Sequence, residues 1–218
     1  MNRELDTMRL MLAKAVEWGY LLESPVRRVN RLRIDNRRTH ILSSDEQRAL
    51  LAASPRKLRA LAMLALITGA RVGELLALRW EDCADGFVTF WQTKNGRMRR
   101  IENTPSIRAV LAELPHVGAW VFTNAQTQTR YTVNGTRHVF DRAVARAGLE
   151  NDVTLHTLRH TALSRMIAAG FDDYTVMEIS GHSSTRMLAR YTHPTAARKH
   201  GARVVRGRPA WAGNGQYD

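Results

Sequence analysis

The stretch KLRALAMLALITG, residues 57–69, constrains the fold more than any other part of the chain. It predicts a helix that is apolar on nearly every side and stops at Gly69. Such a helix has to be buried. Upstream, ILSSDEQRALLAA supplies another helix, with Ser43 and Glu46 spaced as a capping box before an apolar run. Downstream, ARVGELLALRWEDC restarts as a shorter helix. GFVTFWQTKNGRMRRIE then has alternating, β-favouring residues on both sides of Asn95-Gly96, the strongest short hairpin signal. Thr104 and Pro105 open a further helix, with proline at its first position. Helices are expected again at 133–147, 156–169, 173–180, 184–191 and 195–204. The sum is mainly α with one small antiparallel β-hairpin. Ahead of this body, residues 4–18 read as an amphipathic helix with Leu5, Met8, Leu12, Ala15 and Trp18 on one face.

Charge narrows the function. The chain has 218 residues and a net charge of +13, a strong pointer to a polyanionic partner, usually nucleic acid. Of 33 basic residues 29 are arginine, whose guanidinium forks suit phosphate, although a GC-rich genome gives the same bias. The charge is spread along the chain, which favours a folded basic surface over a disordered arm. The arginine-rich stretch 26–40, with Arg37 and Arg38, reads as a linker lying on a phosphate backbone; a solvated connector is the alternative. The single cysteine, Cys83, rules out an internal disulfide framework and a four-thiolate zinc site. No run approaches the roughly 18–20 apolar residues of a membrane span. The first residues lack the apolar region of a signal peptide. A cytoplasmic location is the simplest reading, with no membrane partner and no cofactor.

Four separated stretches carry candidate chemistry. In TGARVGELLALRW, Arg71 follows a helix stop and heads the next helix, where it can aim at a phosphate, with Glu74 placed to orient it. Lys94 stands just before the hairpin turn, among Arg97, Arg99 and Arg100. In LHTLRHT, His156 and Arg159 lie one helical turn apart and leave one face, while His160 can tuck towards the core. A His-x-x-Arg is expected about once by chance in a chain with 8 His and 29 Arg, so this motif decides nothing alone. In SGHSSTRMLARYTHP, His182 follows Gly181, read as a helix stop, and Tyr191 is expected to end a short helix. A phenol is a poor nucleophile near neutral pH and needs cations around its target. Tyr131 and Tyr174 are rivals on position alone.

Taken in order, TGARVGELLALRW, TKNGRMRRI, LHTLRHT and GHSSTRMLARYTH resemble the catalytic domain of the tyrosine recombinases, the phage-integrase family. The resemblance runs from about residue 41 to 205 and implies that family's fold. It implies strand cleavage and rejoining through a covalent 3′-phosphotyrosine, with Tyr191 as nucleophile. It further implies Arg71 and Arg159 as the two arginines on the scissile phosphate and Lys94 as general acid. His156 matches the first-histidine position, His182 the His-or-Trp position, and Glu74 the acidic residue behind the first arginine. Arg37, Arg38, Arg97, Arg99 and Arg100 are expected on DNA.

The sequence departs from the family at Ser180, where an apolar residue is usual. Residues 1–40 resemble only the last helix of a DNA-clamping domain plus its linker, so the front of that domain is expected to be missing and DNA binding by this chain to be weak. Residues 41–205 form the expected catalytic domain and 206–218 a tail, with the segment from 195 expected to dock on a neighbouring subunit. Double-stranded DNA is the expected partner, with a homotetramer on DNA, weak or monomeric association without it, and DNA-bending proteins as possible accessories. Two other readings stay open: a catalytically idle DNA-binding relic or regulator, and a relaxing enzyme similar to type IB topoisomerases.

Overall fold

The computed structural model describes residues 2–32, 40–91, 98–124 and 126–181, and the chain divides into two compact units, 1–38 and 39–218. The first unit is α1 (Asn2–Glu17) and the irregular return that follows it. Asn2 and Leu32 exchange two hydrogen bonds of 2.9 Å, and Arg31 pairs with Asp6 at 2.6 Å, so the return runs back along the helix. No residue of α1 is buried. Of the expected apolar face, Leu5, Leu12 and Ala15 are half-buried within the unit, whereas Met8 and Trp18 are exposed. A unit this small has too few apolar groups to make a core.

Among the described residues, the second unit is mainly helical, with one two-stranded antiparallel sheet. At its centre is α3 (Arg56–Thr68), which buries Leu58, Leu61 and Leu64 along with Ala60, Ala62, Ala65 and Thr68. Five helices cover it: α2 (Ser44–Ala53), α4 (Val72–Leu76), α5 (Pro105–Ala112), α6 (Val133–Arg146) and α7 (Leu155–Ala168). A helix apolar all round is stable only when enclosed in this way. Ser43 and Glu46 form the capping box of α2, and Thr104 and Thr132 cap α5 and α6 through their hydroxyls. Gly69 ends α3 in the left-handed conformation, φ 62°, with Leu163 of α7 so close that an added Cβ would meet its Cδ2 at 3.0 Å. A smaller apolar cluster of Leu163, Ile167 and Val176 joins α7 to α8 (Asp173–Ser180).

The sheet pairs β1 (Phe87–Phe90) with β2 (Arg99–Glu102), Phe87 opposite Glu102 and Phe90 opposite Arg99. The turn at Asn95-Gly96, and the helices expected at 184–191 and 195–204, lie outside the described residues. One expectation is corrected. ARVGELLALRWEDC is not one helix, because α4 ends at Leu76. Beyond it the chain pairs across the fold: Val121 N donates to Leu78 O and Trp80 N to Ala119 O, both at 3.0 Å. A short 3-10 turn, Trp80–Cys83, follows. Those backbone groups find long-range partners that a continued helix would have denied them.

Candidate active site

Arg71 stands where the left-handed stop of α3 hands over to α4, at the N-cap position with extended backbone (φ −70°, ψ 141°). Its backbone N–H donates to Glu74 Oε2 and its Nη1 to Glu74 Oε1, both at 2.9 Å. Its Nη2 donates to Gly181 O at 3.3 Å. Glu74 is almost fully enclosed, and burial pushes its carboxyl upwards, but Arg99 and Arg71 together hold it below the ordinary carboxylate range. Arg71 is thus held by three hydrogen bonds to two residues, Glu74 and Gly181, and faces open space.

That space is a cleft of about 550 Å³ lined by Arg71, Thr154, His156 and Arg159 with Arg137 and Asp141 of α6. His156 and Arg159 come from the first turns of α7, whose N-terminus is closed by Thr154 N–H donating to Thr157 Oγ1 at 2.9 Å. A helix N-terminus here adds its own attraction for an anion. Arg159 is only 2% exposed, and its Nη1 donates to Gly69 O at 2.7 Å, tying α7 to the stop of α3. His160 meets the exposed His156 ring edge to face, centroids 4.4 Å apart. Three of the six candidate catalytic residues therefore share one cleft, although Arg71 and the α7 pair lie far apart in sequence.

Lys94, His182, Tyr191, Arg97, Arg37 and Arg38 lie outside the described residues. Among the rival tyrosines, Tyr131 is packed on the core and lines a separate apolar cavity, and Tyr174 is exposed on α8. Two neighbouring arginines separate. Arg100 faces solvent over the Phe87 ring, its guanidinium carbon 4.2 Å from the ring centroid. Arg99 does not fit its expected place on DNA: it is 7% exposed and pairs with Glu74 at 2.8 Å. Strand alternation turns consecutive side chains to opposite faces, so one arginine points in and the next out. Sequence reasoning missed Arg137 and Asp141; their i,i+4 spacing on α6 was the only available signal. It also missed His40, whose ring nitrogens face Asp152 at 3.1 Å and Glu46 at 3.0 Å. Among the described residues, His40, Glu150 and Asp152 form the one group of potential metal ligands, and it shares no residue with the cleft.

Residues 40–198 match the model of the phage integrase family, so the chain belongs to that family. It is 36% identical to the shufflon-specific DNA recombinase of Escherichia coli, over 86% of this chain and 51% of that protein. It is 26% identical to the integrase of Salmonella phage P22, over 84% of this chain and 51% of that protein. The chain thus spans about half the length of these curated relatives. Among solved structures, the lambda integrase tetramer bound to a Holliday junction superposes with a TM-score of 0.76 at 24% identity, covering 87% of this chain and 58% of that one. The Tn1549 transposon integrase, in complex with a circular intermediate DNA, gives a TM-score of 0.72 at 18% identity, covering 92% and 78%. The fold is that of the catalytic domain of tyrosine recombinases.

Proposed function

We propose that the chain is the catalytic part of a site-specific DNA recombinase or integrase, a metal-independent transesterase acting on double-stranded DNA. The observation that carries this reading is the convergence of Arg71, His156 and Arg159 on one cleft. Membership of the phage integrase family supports it.

A phosphodiester in that cleft presents its non-bridging oxygens to Arg71 and Arg159, with His156 and His182 as further donors. The Tyr191 phenol oxygen attacks phosphorus, the bond to the 5′ oxygen breaks, and Lys94 protonates that leaving oxygen while the phenol proton passes towards His156. The product is a 3′-phosphotyrosine that conserves the energy of the broken bond. A 5′-hydroxyl of another strand then attacks it and frees Tyr191. Preorganised donors aimed at the growing phosphoryl charge each contribute roughly 3–4 kcal/mol. A general acid adds about 10²–10⁴-fold. Glu74 aims Arg71, and His160 braces the His156 ring. Arg97, Arg100, Arg37 and Arg38 contact DNA backbone, with Arg137 at the cleft rim.

The solved relatives include lambda integrase as a dimer and a tetramer on DNA. By that likeness this chain works as a homotetramer holding two duplexes, within the nucleoid, where DNA-bending proteins can help assembly.

The test is covalent trapping. Nicked duplexes tiled from the DNA flanking the coding sequence are incubated with the protein, and adducts are resolved under denaturing conditions. Wild type should form a covalent adduct and Tyr191→Phe none. DNA binding without any adduct would leave a DNA-binding regulator of the same fold. Adducts and plasmid relaxation without exchange between two sites would leave a relaxing enzyme.

A further inference from the structure

Arg99 lies inside the fold, and its partners are informative. Its Nη2 donates to Glu74 Oε2 at 2.8 Å and its Nε to Ile179 O at 3.0 Å, in the last turn of α8. Its guanidinium stacks on Phe90, 4.3 Å from the ring centroid. Glu74 in turn holds Arg71, and Arg71 donates to Gly181 O. The contacts close a circuit: Arg71, Glu74, Arg99, the end of α8, and back to Arg71. Three chain segments meet in it, α4, β2 and the α8 end, and the two that leave it run in sequence to Lys94 and to His182.

We propose that Arg99 is a positioning residue for strand cleavage, a buried fork that sets Arg71 through Glu74 and fixes the α8 end that leads into His182. The inference rests on the recombinase reading. Only an arginine fits the task. Its planar fork reaches a carboxylate and a carbonyl on different elements at once, whereas an ammonium is a single point. Gly181 belongs to the same arrangement. It adopts φ 67°, and a Cβ there would stand 3.1 Å from Arg99 Nη1, so the absence of a side chain lets the guanidinium lie against the α8 terminus. Arg99 is not among the residues that line the cleft, so it acts through Glu74 and Arg71 and not on substrate.

Two variants of the full chain test this: Arg99→Lys, which keeps the charge and loses the fork, and Arg99→Met, which loses both. In the free protein, hydrogen exchange of amides at 71–76 and 177–181 should quicken roughly tenfold in Arg99→Lys, with α2, α5 and α6 unchanged. On the nicked duplex that traps wild type, the adduct-forming rate at saturation should fall by at least about 30-fold. The half-saturating DNA concentration should stay within roughly threefold. In a Glu74→Gln background the same substitution should cost no more than about threefold further, because the circuit is already open. Cleavage by Arg99→Lys at the wild-type rate would overturn the proposal. So would a rate loss explained entirely by weaker DNA affinity, or an exchange increase spread over the whole unit. If Arg99→Met does not fold, Arg99→Lys decides. If wild type forms no adduct, the recombinase reading fails, and the exchange pattern alone then accepts or rejects Arg99 as the clamp of Arg71.

Discussion

Glu74 is a carboxylate enclosed by protein that accepts from Arg71 N, Arg71 Nη1 and Arg99 Nη2. Burial raises its pKa, and the two guanidiniums more than reverse that, so the net direction is down from 4.5. A carboxyl whose folded pKa is lowered stabilises the fold above its unfolded value, and that stability drains away as pH falls through the folded one. Urea midpoints should therefore fall for wild type below about pH 4.5, and less steeply for Glu74→Gln. At pH 7 the variant should be about 3 kcal/mol less stable, since Arg99 loses its charged partner while staying buried. A variant with the wild-type pH profile would show that Glu74 is not the titrating group. Cys83 makes a second case at this scale: burial first, then the neighbouring Asp82, pushes its thiol up to about 12. At pH 8 its reaction with a thiol reagent in the native protein should be slower than that of the denatured chain by roughly 10³-fold.

Among the elements, α3 and α7 decide the site, and their junction is at Gly69. Its left-handed backbone strains any side chain, and an added Cβ would crowd Leu163 Cδ2 at 3.0 Å. Gly69→Ala should cost at least about 1–2 kcal/mol in urea unfolding, from backbone strain alone. It should also slow adduct formation, because Arg159 holds on to Gly69 O. Unchanged cleavage would mean that this bond does not set Arg159. The caps and periodicities of these helices were legible because each rests on contacts three or four residues apart: Ser43 with Glu46, Thr104 ahead of Pro105, the apolar run to Gly69. The break after Leu76 was not legible, since it depends on pairing of residues 78 and 80 with 119–121. Ser180 is fully buried at the end of α8, its hydroxyl 3.4 Å from Met177 O, so a small polar residue occupies a place in the interior.

For the molecule as a whole, the +13 charge favours a polyanionic partner. If DNA is the partner, affinity comes mostly from releasing counterions and should fall at least about 10²-fold between 50 and 200 mM salt. A gel-shift series checks this, and a flat response would argue against phosphate-dominated binding. The four motifs, their order and the sign of the charge were determined by the sequence alone, because each needs only residue types at short spacing. Tertiary structure decided which of two adjacent arginines turned inward, that α6 contributes Arg137 and Asp141 to the cleft, and that Glu74 serves two guanidiniums. Those outcomes depend on burial and on partners many residues away. Desolvating a charge is favourable only where distant segments bring the opposite charge to meet it, and no local pattern records where those segments come together.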